Sequence, residues 1–113
     1  MVVLPAPRDE VWRALTSREL ASAWLGEVLE LEPRPGGAVI VREPDGATLR
    51  GLVERVEDAR ELVLRWRRLA GAGTGLEVSE ATRVAFALED DSHGTRLTVT
   101  EEPATLVSVG GSP

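Results

Sequence analysis

The chain has 113 residues, 42% of them hydrophobic, with nineteen acidic residues against thirteen basic ones and a formal net charge of −6. That length makes a single domain, residues 1–113, with one core that buries roughly two thirds of the unfolded surface. The absence of cysteine excludes disulfides, thiolate metal sites and cysteine nucleophiles and fits a cytoplasmic location, the acidic balance argues against nucleic acid, and no apolar run approaches the about 20 residues that span a membrane.

Val2 to Leu4 reads as the end of a first strand. Pro5 and Pro7 stop it, and Pro7, Asp9 and Glu10 suit a helix N-terminus. Val11, Trp12, Ala14 and Leu15 give that helix an apolar face. Thr16 to Glu19 matches a capping box, which starts a second short helix from Leu20 to Trp24. From Glu27 a strand alternates with Leu29 and Leu31 on one face and Glu30 and Glu32 on the other, stopping at Pro33. The turn from Pro33 to Gly37 returns the chain through Ala38 to Glu43, and the Pro44-containing turn to Gly46 opens a strand from Thr48 to about Val56. Alternation slips at Glu54-Arg55-Val56, where a bulge or the strand's end is expected.

Leu62, Leu64 and Trp66 share one face of the next strand, with Arg65 and Arg67 opposite. Leu69 to Gly75 carries enough glycine to be read as a mobile connection without regular structure. A phosphate-binding loop is the alternative there, but the stretch lacks a Lys-Ser/Thr ending and leads into strand-like residues. Thr82 to Glu89 and Thr95 to Thr100 form a last hairpin, with Val84, Phe86, Leu88, Leu97 and Val99 inward. Helices first and a strand meander afterwards give an α+β fold with a curved antiparallel sheet of six to seven strands.

Candidate chemistry is sparse. His93 is the single histidine and lies in a polar turn, so an exposed turn residue is expected rather than a catalytic one. Asp90 and Asp91 beside it fall short of the several oxygen ligands a hard cation needs, and no metal site or cofactor is expected. All basic residues are arginine, which leaves no amine nucleophile. Large aromatic groups remain: Trp12 faces the sheet, whereas Trp24 and Trp66 serve equally as core or as cavity lining. Gly51 is either a gap for a ligand or a bulge glycine.

The extended start, Ala6-Pro7, Val11-Trp12, Leu15-Thr16 and Trp24, then a strand and the Gly36-Gly37 turn, resemble the activator-of-heat-shock-protein-ATPase-like branch of the SRPBCC superfamily. That superfamily includes START and polyketide-cyclase domains. The resemblance runs from about Leu4 to Glu101, leaving residues 102–113 as an atypical tail. It implies a helix-grip fold, in which the sheet curls round a long C-terminal helix and encloses an apolar cavity that holds ligands. The first strand is shorter than the family's. The C-terminal helix is missing, because Pro103, Thr105, Val107, Val109 and Gly110-Gly111 disfavour one. The residues expected to line the cavity are Trp24, Val41, Gly51, Val53, Leu64, Trp66, Val84, Phe86, Leu88 and Val99.

The function expected is a non-catalytic module that binds a small hydrophobic or aromatic molecule. One alternative is a protein-interaction module related to the co-chaperone that gives the branch its name. Another is a cyclase or aromatase, against which the apolar inward face counts. With no helix to cover that face, a homodimer is expected to shield it, the other possibility being a shortened chain.

Overall fold

A computed structural model describes residues 1–72 and 75–104. In chain order it comprises β1 (Val2–Leu4), α1 (Arg8–Thr16), α2 (Arg18–Leu25), β2 (Glu27–Leu31), β3 (Ala38–Arg42), β4 (Thr48–Glu57), β5 (Glu61–Ala72), β6 (Gly75–Val78), β7 (Thr82–Asp91) and β8 (Gly94–Pro103). The strands form one antiparallel sheet in the order β1-β8-β7-β5-β4-β3-β2, with β6 also pairing with β5. This is the α+β, helix-grip-type architecture expected, with one strand more than the sequence suggested. Of the tail expected to lack a helix, Glu102 and Pro103 complete β8, while residues 105–113, with the Thr105 to Val109 segment expected to pack in a dimer, lie outside the described residues.

The two helices connect opposite edges of the sheet, since β1 lies at one edge and β2 at the other. They therefore cross its face, α1 packing on β7 and β8 and α2 on β2. Pro7 starts α1 with φ −66°, and its carbonyl accepts from the Glu10 and Val11 N–H groups at 3.0 and 3.1 Å. Val11 and Leu15, one turn apart, are the buried residues of α1. The cap of α2 corrects the sequence reading by one residue. Ser17 has the extended backbone that a capping residue requires, and its Oγ accepts from the Leu20 N–H at 3.4 Å. Thr16 is still helical and donates its hydroxyl to the Trp12 carbonyl at 2.8 Å.

Inside the sheet, Val39, Val41, Val53, Leu64 and Leu97 are fully buried and join Trp66, Val84, Phe86 and Leu88 in one core beneath Val11, Leu15 and Ala21. Two strands depart from strict alternation. The register of β4 against β5 shifts between Val53 and Arg55, at the place where the sequence slips. The register of β2 against β3 shifts between Val28 and Glu30, which the sequence did not reveal. Leu29 is the extra residue of that second bulge, so Val28 enters the core and Leu29 is left 36% exposed, contrary to its expected inward phase.

The glycine-rich stretch is also corrected. Leu69 to Ala72 continues β5 and pairs with Gly75 to Val78, so most of it is hairpin ladder rather than irregular loop. Ladder hydrogen bonds with a neighbour outweigh the low strand propensity of glycine here. Elsewhere a close approach requires glycine. A Cβ on Gly51 would lie 1.9 Å from the Arg65 carbonyl oxygen, so the space beside this residue belongs to the backbone of β5. At the start of β8, Thr95 is fully buried and donates its hydroxyl to the Ala6 carbonyl at 2.7 Å, tying β8 to the segment that leads into α1.

Candidate functional site

Strand β7 begins and β8 ends at the level where Gly51 of β4 pairs with Trp66 of β5, Trp66 with Thr82 and Thr82 with Pro103. An open groove of about 400 Å³ lies there, lined by Arg50, Gly51, Leu52, Arg65, Trp66, Arg67, Ala81 and Ala104. Strand alternation explains its mixed character: Trp66 belongs to the core side of β5, and Arg65 and Arg67 flank it on the other. Trp66 is 8% exposed, so the tryptophan is a core residue that also borders the groove. The Ala104 N–H donates to the Ala81 carbonyl at 3.0 Å and holds the two small residues together on the far wall.

The charged rim divides into held and unheld cations. Arg65 donates to Glu54 at 3.3 Å, and Arg83 reaches both Glu54 oxygens at 3.0 and 3.2 Å. The Glu54 carboxylate raises the affinity of the Arg83 guanidinium for its proton above the ordinary value. Arg67 donates to the Ser79 carbonyl at 3.2 Å. Arg50 stands directly opposite Arg67 in the β4–β5 register.

A second groove, of about 390 Å³, lies at the helix corner and is lined by Leu4, Pro5, Ala6, Glu10, Val11, Arg13, Ala14, Leu20 and Trp24. Trp24 is 40% exposed there. The structure thus separates the two tryptophans that the sequence placed in one cavity: α2 presents Trp24 toward β1 and α1, away from Trp66. Of the residues expected to line a cavity, Gly51 and Trp66 line the first groove. Val41, Val53, Leu64, Val84, Phe86 and Leu88 are buried in the packed core. Val99 shares a face with its partner Phe86 yet is 46% exposed, because α1 covers only part of that face. Sequence reasoning missed Arg50, Leu52, Arg65, Arg67, Ala81 and Ala104. Alternation pointed to Arg50 and Leu52 as solvated, and nothing local marks two alanines as a wall.

His93 is exposed in the β7–β8 turn, and its N–H donates to Asp91 at 2.9 Å. That bond, with Arg96 nearby, holds the Asp91 carboxyl below the usual carboxylate range, as a turn-closing group requires. Among the described residues, no three histidine or carboxylate side chains converge as a metal site would need, and no helix is long and apolar enough to cross a membrane.

Comparison with solved structures returns the same fold. The chain superposes on DynU16, a protein of the dynemicin biosynthetic locus, with a TM-score of 0.74 and 28% identity over 93% of this chain, which spans 36% of that one. A Rhodobacter sphaeroides protein gives a TM-score of 0.70 and 27% identity over 96% of this chain and 75% of its own. MLL2253 of Mesorhizobium loti, at 24% identity, gives a TM-score of 0.74 over 93% of this chain and 77% of its own, and shows the fold alone. No curated protein matches the sequence at a significant level. The family model described as Activator of Hsp90 ATPase homolog 1-like protein matches residues 5–110, and the chain therefore belongs to that family, within the SRPBCC superfamily.

Proposed function

We propose that the chain is a small-molecule-binding module whose site is the groove beside Trp66, and that it binds an aromatic or hydrophobic metabolite without transforming it. The observation that carries this reading is an open groove of about 400 Å³ within the strand framework, bordered by the nearly buried Trp66 and by Leu52, Ala81 and Ala104. A flat apolar body seated beside Trp66 would gain contact with Leu52 and the two alanines without displacing the packed core. The fold is a ligand-binding scaffold in its superfamily, and DynU16 belongs to a biosynthetic locus, which supports a metabolite as the ligand. Binding without transformation rests on the lining: neither a carboxylate nor a histidine is among the groove residues to move a proton. A thermal-shift screen of aromatic metabolites tests the reading. Compounds that bind should raise the melting temperature of the native chain by mass action, and Trp66→Leu should remove the shift. A shift that survives Trp66→Leu unchanged would place binding elsewhere.

A protein-interaction role has its own support in the helix-corner groove, where Leu20 and Trp24 are 48% and 40% exposed. Such exposed apolar side chains suit an apolar partner surface. In that reading the chain stimulates the turnover of an Hsp90-type ATPase, and Trp24→Ala abolishes the stimulation; an ATPase rate indifferent to the chain would end it.

A further inference from the structure

The strand arginines of this protein are paired with carboxylates almost throughout. Arg42 meets Glu27, Arg55 meets Glu61, Arg65 and Arg83 share Glu54, Arg68 meets Glu43 and Asp45, and Arg96 meets Glu89 and Asp91. Among the described residues, Arg50 and Arg67 depart from that pattern, with no carboxylate in ion-pair contact. The undescribed positions contain no aspartate or glutamate that could supply one. The two arginines are direct cross-strand partners, which puts like charges about 4.5–5.5 Å apart at Cβ, an arrangement that opposes folding. Both line the same groove, and no carboxylate lines it with them. In a chain of net charge −6, this is a local excess of positive charge in a groove that also holds Leu52, Ala81 and Ala104.

We infer that the groove takes small molecules that join a flat apolar body to an anionic oxygen group, the body lying against Leu52 and Ala81 and the anion between Arg50 and Arg67. This inference rests on the small-molecule reading of the same groove and names the class of ligand. A planar guanidinium offers two parallel N–H donors to a carboxylate, sulfonate or phosphate, and two guanidiniums side by side hold one such group from both flanks. The bound anion also relieves the repulsion between them, so binding and stability are linked at this pair. Leu52, exposed on the same face of β4 as Arg50, and Ala81 supply the apolar contact.

Two naphthalene dyes of similar shape test it on the native chain: anilinonaphthalene sulfonate, which carries the anion, and phenylnaphthylamine, which does not. The sulfonate should bind about tenfold or more tightly than the neutral dye at low salt. High salt should weaken the sulfonate and leave the amine unaffected. In the Arg50→Gln, Arg67→Gln double variant the sulfonate affinity should fall to that of the amine, while the melting temperature of the free protein should hold or rise. Equal binding of both dyes, insensitive to salt and to the double variant, would overturn the anion inference and leave the small-molecule reading standing. Failure of both dyes to bind would overturn both. The salt comparison needs no variant, so the result does not depend on how the variant folds.

Discussion

Gly51 and Thr95 show how much of this fold rests on single positions. At Gly51, a methyl group would sit 1.9 Å from the Arg65 carbonyl oxygen, so β4 and β5 can approach only without a side chain there. Gly51→Ala should destabilise the protein by more than about 1 kcal/mol, read as a shift of the denaturation midpoint. Thr95→Val keeps shape but leaves the Ala6 carbonyl without its hydroxyl donor, and should cost about 1–3 kcal/mol, whereas Thr95→Ser should restore most of the loss. An unchanged midpoint in Thr95→Val would mean that another donor reaches Ala6. At this scale the sequence was legible where alternation is uninterrupted: Trp66 between Arg65 and Arg67 announces both a core face and a charged face. It was not legible at Leu29, because a bulge shifts phase without a local signal, nor at Trp24, whose surroundings are set by where β1 lies.

Three hairpins are closed by carboxylates that accept backbone N–H groups. Glu32 accepts from Ala38 at 3.2 Å in the β2–β3 connection, Asp45 from Ala47 at 2.9 Å between β3 and β4, and Asp91 from His93 at 2.9 Å between β7 and β8. In each, the backbone N–H is the main reason that the carboxyl stays below its ordinary range, with Arg34, Arg68 and Arg96 adding to the effect. A carboxyl held below its ordinary value adds stability above that value and loses it as pH falls through the folded-state value. The melting temperature should therefore fall steadily below the ordinary carboxylate range of about pH 4. Asp45→Asn with Asp91→Asn should lower the neutral-pH melting temperature and flatten that acid slope; a slope unchanged by both substitutions would assign acid sensitivity to other groups. The helices carry their own test: Ser17→Ala should cost about 1 kcal/mol as a lost cap, and more than Thr16→Ala, whose hydroxyl bonds within α1. At this scale the turns were readable from Pro, Gly and Asp, whereas β6 was not, since its pairing with β5 overrides glycine's poor strand propensity.

Across the whole molecule, the helix pair spans the sheet from one edge strand to the other, and the core forms where it passes over β7, β8 and β2. Leu64, fully buried in the middle of β5, belongs to that core, and Leu64→Ala should cost about 2–5 kcal/mol in the denaturation midpoint. Beyond the reach of the helices, the sheet offers the Trp66 groove, while the helix corner offers a second apolar groove around Trp24. The two tryptophans therefore report on separate regions of the surface. The central claim, that a small molecule binds in the groove beside Trp66, is tested most directly by the three indole N–H signals in a proton–nitrogen NMR spectrum, with Trp66→Phe identifying one of them. Titration with naphthoate should move the Trp66 signal progressively to saturation while that of Trp12 stays in place. A Trp66 signal that does not move, or a shift confined to Trp24, would contradict the account.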